Sequence, residues 1–139
     1  MKIEEVWIKI VLHKEQRYNT VGDWFFDRNF PKTLIVKVSE TGNWKWNMCI
    51  ALHELAEAIA CTTDGVTQEQ VDEFDKNWKP NFGFEEPGED PQSPYFNQHA
   101  KAFTIEKTLF FGMIDDATLD NSEWEAYEAK LEELMKSRE

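Results

Sequence analysis

Three ionisable residues, His53, Glu54 and Glu57, interrupt an otherwise apolar helical stretch that runs from residue 47 to residue 64. In a helix with 3.6 residues per turn, His53 and Glu57 lie one turn apart on the same face, with Glu54 beside them. An imidazole and a carboxylate at this spacing can bind one metal ion. Because apolar side chains cover nearly every other direction, we expect the helix to be buried and its charged groups to be paired or metal-bound.

A second predicted helix repeats this combination of residue types. From residue 94 onward apolar residues recur at helical spacing, and His99 and Glu106 lie two turns apart on that face. The chain has only three histidines, so two of the three fall on apolar helix faces that also carry a carboxylate. We therefore expect the two helices to pack side by side. The third histidine, His13, follows a predicted strand and is expected at the surface.

The five residues from His53 to Glu57, H-E-L-A-E, resemble the zincin signature H-E-x-x-H with its second histidine replaced by glutamate. The resemblance implies that His53, Glu57 and His99 are metal ligands. It also implies that Glu54 is the catalytic general base, and that Glu106 is a fourth ligand or a hydrogen-bond partner of His99. Zinc is the metal that this resemblance implies. A carboxylate ligand makes the site harder, which also admits manganese, iron or magnesium.

Two other interpretations of the same residues stay open. In one, His53 and His99 are core histidines that form hydrogen bonds with Glu57 and Glu106 and bind no metal.

In the other, Glu54-x-x-Glu57 and Glu69-x-x-Asp72 resemble the paired magnesium-binding motifs of MazG-type nucleotide pyrophosphohydrolases. Acidic residues at 69 and 72 are, however, also expected near the start of a helix because of its macrodipole.

Four segments in order resemble small uncharacterised proteins encoded by bacteriophages and prophages. They are Q-R-Y-N-T-V-G-D-W (16–24), H-E-L-A-E-A (53–58), E-P-G-E-D-P-Q-S-P-Y (86–95) and the span from His99 to Glu106. This resemblance implies one domain over residues 1–139 in the cytoplasm of a bacterial host cell, and it brings no activity. If the third segment folds over the paired helices, its Glu89, Asp90 and Tyr95 would line the site.

The sequence predicts an α+β fold with a zincin-like core. A period of two marks a strand over residues 1–13, and two aromatic or β-branched runs at 22–27 and 33–39 predict a hairpin. Together they predict a small three-stranded antiparallel sheet. Helix-capping patterns and apolar periodicity then predict four helices, of which the first runs from 44 to about 63.

Composition excludes several classes of function. The chain of 139 residues has a formal charge of −12, so nucleic-acid backbones would be repelled, and we expect no nucleic-acid partner. No apolar run is long enough to span a membrane, and the first residues do not form a secretory signal. Cys49 and Cys61 lie twelve positions apart on one predicted helix, too far for a disulfide, which predicts free thiols in a reducing compartment.

The leading functional hypothesis is a metal-dependent, zincin-like hydrolase of phage or prophage origin, with peptidases as one form and an unknown substrate. The competing hypothesis is a non-catalytic phage accessory protein that binds a host protein and uses the histidines structurally. An open coordination position favours the first hypothesis, and a closed four-ligand set or no metal favours the second.

Overall fold

The computed structural model describes residues 2–79, 83–114 and 122–139 and shows the predicted α+β fold. The strands are β1 (Glu5–Val11), β2 (Gly22–Phe26) and β3 (Thr33–Ser39). The helices are α1 (Trp44–Asp64), α2 (Gln68–Asn77), α3 (Phe96–Leu109) and α4 (Ser122–Lys136). A π-helical segment, Phe110–Ile114, continues α3. None of these helices is both long enough and apolar enough to cross a bilayer.

The sheet is mixed, so the prediction of a purely antiparallel sheet is wrong. Strand β3 lies in the centre, and the predicted hairpin is present because β2 pairs antiparallel with β3. Strand β1 pairs in parallel with the other edge of β3, with Ile8 opposite Val36. The physical reason is chain direction. Strand β1 runs opposite to β2, and β3 also runs opposite to β2, so β1 and β3 must point the same way when they become neighbours.

Strand β1 is shorter and more exposed than predicted. It begins at Glu5 and ends at Val11, whereas the period-two pattern predicted 1–13. Its alternating apolar residues were expected on a buried face, but Val6, Ile8 and Ile10 are 38–46% exposed. Helix α1 packs against β2 and β3, and this leaves β1 at the uncovered side of the sheet.

Helix α1 is fixed at both ends by local interactions. The side chain of Asn43 accepts hydrogen bonds from the amides of Lys45 and Trp46, as the predicted N-cap requires. The helix ends at Gly65, whose positive φ of 77° suits glycine and allows its amide to bond to the carbonyl of Cys61. Between these caps α1 packs along α3, as the paired histidine faces predicted.

The core forms between the sheet and the helices. Leu34, Val36 and Val38 of β3 are fully buried and lie on the face of the sheet that is turned to the core. At the other end, Tyr127 of α4 is fully buried and its ring stacks on Phe110, with ring centroids 5.2 Å apart. Both cysteines are buried and free, as predicted from their spacing.

His13 is buried, so the prediction of a surface position is wrong. A single turn of 3-10 helix, His13–Glu15, follows β1 and turns the side chain inward. The two ring nitrogens form hydrogen bonds with Oγ of Ser39 and Oδ1 of Asn19, both at 2.8 Å. Both polar atoms of a buried imidazole are therefore satisfied without any charge or metal.

Candidate metal centre

Helices α1 and α3 bring His53, Glu57 and His99 to one point in the interior. His53 Nε2 lies 3.3 Å from His99 Nδ1 and 3.4 Å from Glu57 Oε2. His99 Nδ1 and Glu57 Oε2 are 3.0 Å apart. Ligand atoms around a tetrahedral zinc ion, with bonds of about 2.0–2.1 Å, lie roughly 3.3–3.4 Å from one another. Two of the three separations match this value, and the third, 3.0 Å between His99 Nδ1 and Glu57 Oε2, is also the length of a hydrogen bond. The three atoms are close enough together to hold one ion. Among the described residues, His53, Glu57 and His99 are the group whose potential ligand atoms lie this close together.

Glu106 contacts His53 from outside this group of three atoms. Its Oε1 lies 2.7 Å from Nδ1 of His53, the ring nitrogen that faces away from the cluster. Its other oxygen accepts a hydrogen bond from the Tyr127 hydroxyl at 2.7 Å. The sequence paired Glu106 with His99, two turns away on the same helix, but α3 presents Glu106 to α1 instead. A carboxylate on the outer nitrogen of a ligating histidine fixes the tautomer and orientation of the ring.

The segment before α3 supplies the equivalent partner for His99. Glu86 Oε2 lies 3.3 Å from Nε2 of His99, on the opposite side of the ring from the cluster. Gly88 packs so closely on this ring that a Cβ there would lie 2.4 Å from Cγ and Nδ1 of His99. Each of the two predicted histidine ligands thus has a carboxylate at the ring nitrogen that lies outside the cluster.

The residues predicted from this segment mostly point elsewhere. Tyr95 does lie beside the His99 ring, with centroids 6.1 Å apart, but its hydroxyl donates to Asp75. Asp90 accepts a hydrogen bond from the Trp78 indole at 3.2 Å, and Glu89 accepts one from a backbone amide. The segment therefore reaches the cluster through Glu86, which was not among its predicted site residues.

Trp24 of β2 fixes the carboxylate of Glu57. Its indole nitrogen donates to Glu57 Oε1 at 3.0 Å, which leaves Oε2 for the cluster. Trp24 and Tyr127 were not among the predicted site residues. A signal was present, since a buried Trp or Tyr needs a partner for its polar atom, and buried carboxylates are the natural acceptors.

Glu54 lies next to the cluster in a different environment. It is 8% exposed, and among the described residues no hydrogen bond or ion pair is made by its carboxylate. Strand β2 passes directly against it, since a Cβ on Gly22 would lie 2.7 Å from Glu54 Oε1. The fold thus places a buried carboxylate, without a hydrogen-bond partner among the described residues, beside three potential metal ligands.

Burial and the neighbouring carboxylates shift the pKa of the two histidines in opposite directions. Burial lowers the pKa of His53, but hydrogen bonds to Glu106 and Glu57 outweigh this effect and hold the pKa well above 6.5. Burial also lowers the pKa of His99, while Glu57 and Glu86 raise it to about 10. The carboxylates around both rings therefore attract positive charge, either as protons or as a cation.

The carboxylates of α1 differ in the same field. Burial alone would raise the pKa of Glu57, but hydrogen bonds from the two histidines lower it below its ordinary value. Glu54 has no such donors, so burial and the neighbouring charge of Glu57 raise its pKa well above the usual range. Glu57 is thereby kept ionised, while Glu54 on the same helix is suited to hold a proton.

Protons and a metal cation are two different ways to satisfy the centre of the cluster. His53 Nε2 and His99 Nδ1 face each other at 3.3 Å, and both point at the same oxygen of Glu57. If both nitrogens carry protons, two N–H groups and two positive rings converge on one acceptor. If one proton leaves, the cluster loses one of its charge-assisted hydrogen bonds. A single cation at the centre of the three atoms would satisfy all of them together.

The second acidic motif does not join this cluster. Glu69 is exposed at the start of α2. Asp72 accepts two hydrogen bonds from Arg17, at 2.9 and 3.0 Å, and Arg17 binds Asp23 in the same way. Asp72 is therefore engaged by an arginine, and Glu69 faces solvent.

No protein family, curated protein or solved structure matches this chain. Its chemistry must be inferred from the site itself.

Proposed function

We propose that His53, Glu57 and His99 bind a zinc ion and that the protein is a zincin-like hydrolase. The observation that carries the proposal is the mutual separation of the three ligand atoms, 3.0–3.4 Å. Two imidazoles and one carboxylate are also a ligand set that catalytic zinc sites use. The same set is found around non-haem iron, so iron and manganese are the metals against which zinc is to be tested.

The support around the ligands favours a metal site over a chance cluster. Each ligand has its second polar atom bound to another side chain: His53 to Glu106, His99 to Glu86 and Glu57 to Trp24. Metal-binding histidines nearly always have such partners, because these fix the tautomer and increase the basicity of the ligating nitrogen.

If these three side chains held a zinc ion, an exchangeable water could complete its coordination, and in this proposal Glu54 would be the general base. The ion would supply a water more acidic than bulk water, and a carboxylate beside it would be placed to take up a proton and to pass it to a leaving group. Glu54 fits this role because it is buried beside the ligands and has no competing partner in the described part of the chain. The substrate and the phage origin stay predictions from the sequence.

The competing hypothesis, a non-catalytic accessory protein, makes a different prediction for the same residues. If the histidines only support helix packing, the folded protein binds no metal with useful affinity. If the metal is structural, a fourth protein ligand closes the site and no exchangeable water is bound. Metal content and the presence of an exchangeable ligand therefore separate the hypotheses.

The first experiment is elemental analysis of the full chain purified without an affinity tag, with the variants His53→Ala and His99→Ala. His13→Ala is the matched control, because it also removes a buried, hydrogen-bonded histidine but lies outside the cluster. We expect close to one zinc per chain in the parent and in His13→Ala, and little in the two cluster variants when circular dichroism shows them folded. A folded parent that takes up no zinc, manganese or iron would refute the proposal.

Catalysis needs its own test. Glu54→Gln keeps the size of the side chain but removes the base, so it should retain metal and lose hydrolysis of any substrate found in a screen of peptides and small esters. Because general-base catalysis contributes about 10²–10⁴-fold, the loss should have that size. Full activity of Glu54→Gln would remove Glu54 from the reaction and leave only the metal site.

A further inference from the structure

Strand β1 forms an uncovered edge of the sheet. Among the described strands it pairs with β3 alone, and nothing pairs with its other edge. The amide of Glu5 bonds to Lys32 and the carbonyl of Val11 bonds to Glu40, both on the β3 side. Since bonding direction alternates along a strand, the amides and carbonyls of Val6, Ile8 and Ile10 point outward. These groups are available to another strand.

The apolar side chains of β1 extend this edge into a larger surface. Val6, Ile8 and Ile10 lie on the sheet face that β3 uses for the core, because they pair in register with its buried residues. They are nevertheless 38–46% exposed, as is Ile59 of α1 at 49%. Val6 and Ile59 line one groove with Ile3 and Leu55. An exposed strand edge beside an apolar groove is a feature that soluble proteins usually cover.

We propose that β1 pairs antiparallel with β1 of a second copy of this chain, about a two-fold axis at Trp7. The sequence E-V-W-I-K from Glu5 to Lys9 is self-complementary in this register. Glu5 lies opposite Lys9 of the second copy, Val6 lies opposite Ile8, and Trp7 lies opposite Trp7. A two-fold axis repeats each of these contacts, as expected for a symmetric dimer.

The hydrogen-bond pattern agrees with this register. Val6 and Ile8, whose amides and carbonyls point outward, become the hydrogen-bonded pairs. Glu5, Trp7 and Lys9 occupy the non-hydrogen-bonded positions, where side chains across an antiparallel pair come closest. A register centred on Ile8 would place Glu5 opposite Val11 and leave its charge unpaired. Charge complementarity therefore selects the register, and the self-complementary sequence selects a second copy as the partner.

The test exchanges the charges at two exposed positions. Association of the full chain is measured by sedimentation velocity and equilibrium at about 0.15 M salt, where a Debye length of about 8 Å screens the repulsion between the net charges of two chains. The parent should form a dimer of twice 16.4 kDa. Glu5→Lys and Lys9→Glu each place like charges opposite one another at two symmetric positions, and each should weaken the dimer on the order of tenfold. The double variant places opposite charges there again and should recover most of the parent affinity.

The matched control is Glu73→Lys, which changes the net charge as Glu5→Lys does but lies exposed on α2. It should leave the dimer intact, and circular dichroism should show all variants folded. A parent that is still monomeric at about 100 µM would overturn the proposal, because a dimer with a Kd above about 10⁻⁴ M is a very weak contact. So would a dimer that is insensitive to the single changes, or single changes that the double variant does not rescue. None of these results depends on metal binding.

Discussion

Replacing Gly88 by alanine should displace His99 and weaken metal binding. A Cβ at this position would lie 2.4 Å from Cγ and Nδ1 of His99. Non-bonded carbon and nitrogen atoms pack at roughly 3.5 Å, so the ring or the backbone at residue 88 must move by about 1 Å. Nδ1 is the proposed ligand atom, and metal–ligand distances tolerate deviations of only about 0.2 Å. The displacement is therefore several times larger than the site can absorb.

We expect two effects of Gly88→Ala. The zinc Kd should rise on the order of 100-fold, the upper end of what changes around a ligating histidine produce. The metal-free protein should also lose about 1–3 kcal/mol of unfolding free energy, because the added methyl group overpacks a buried contact. The affinity is measured by competition with a chromophoric chelator, and the stability by urea unfolding in excess chelator.

Gly112→Ala is the matched control, because a Cβ on Gly112 meets no atom within 4 Å. It should leave the zinc Kd unchanged. If folded Gly88→Ala binds zinc as tightly as the parent, then the backbone yields instead of the ring or His99 is not a ligand, and either outcome refutes the reasoning.

Three further predictions follow from other contacts. A Cβ on Gly22 would lie 2.7 Å from Glu54 Oε1, so Gly22→Ala should abolish hydrolysis while elemental analysis shows an unchanged metal content. Glu106→Gln should raise the zinc Kd about 10- to 100-fold in the chelator titration, whereas the exposed Glu125→Gln should not change it. Burial raises the pKa of Asp75 from 3.8 to about 7, so the fold favours its protonated form, and this contribution to stability is lost as the pH rises through 7. The loss amounts to at most about 4 kcal/mol. Asp75→Asn should therefore flatten the dependence of urea unfolding on pH between 5 and 8, and an unchanged slope would contradict the assignment.

The sequence by itself determined the features that depend on neighbouring residues along the chain. Helical periodicity placed His53, Glu54 and Glu57 on one face, and the residue types at 43 and 65 predicted where that helix ends. The hairpin was predicted for the same reason, since the β-branched and aromatic runs at 22–27 and 33–39 encode it locally. Apolar faces carrying His53 and His99 also predicted that α1 and α3 pack together.

Only the tertiary structure decided how these elements meet. The helical spacing of His99 and Glu106 suggested that these two residues pair. Instead, the packing of α3 on α1 brings Glu106 to His53. His99 contacts Glu86, which lies in a segment without regular periodicity. The parallel direction of β1 and the burial of His13 likewise depend on how the chain returns across the sheet. Periodicity reports which side chains share a face, whereas the partner of that face is set by packing between segments far apart in sequence, and one sequence holds no direct record of that packing.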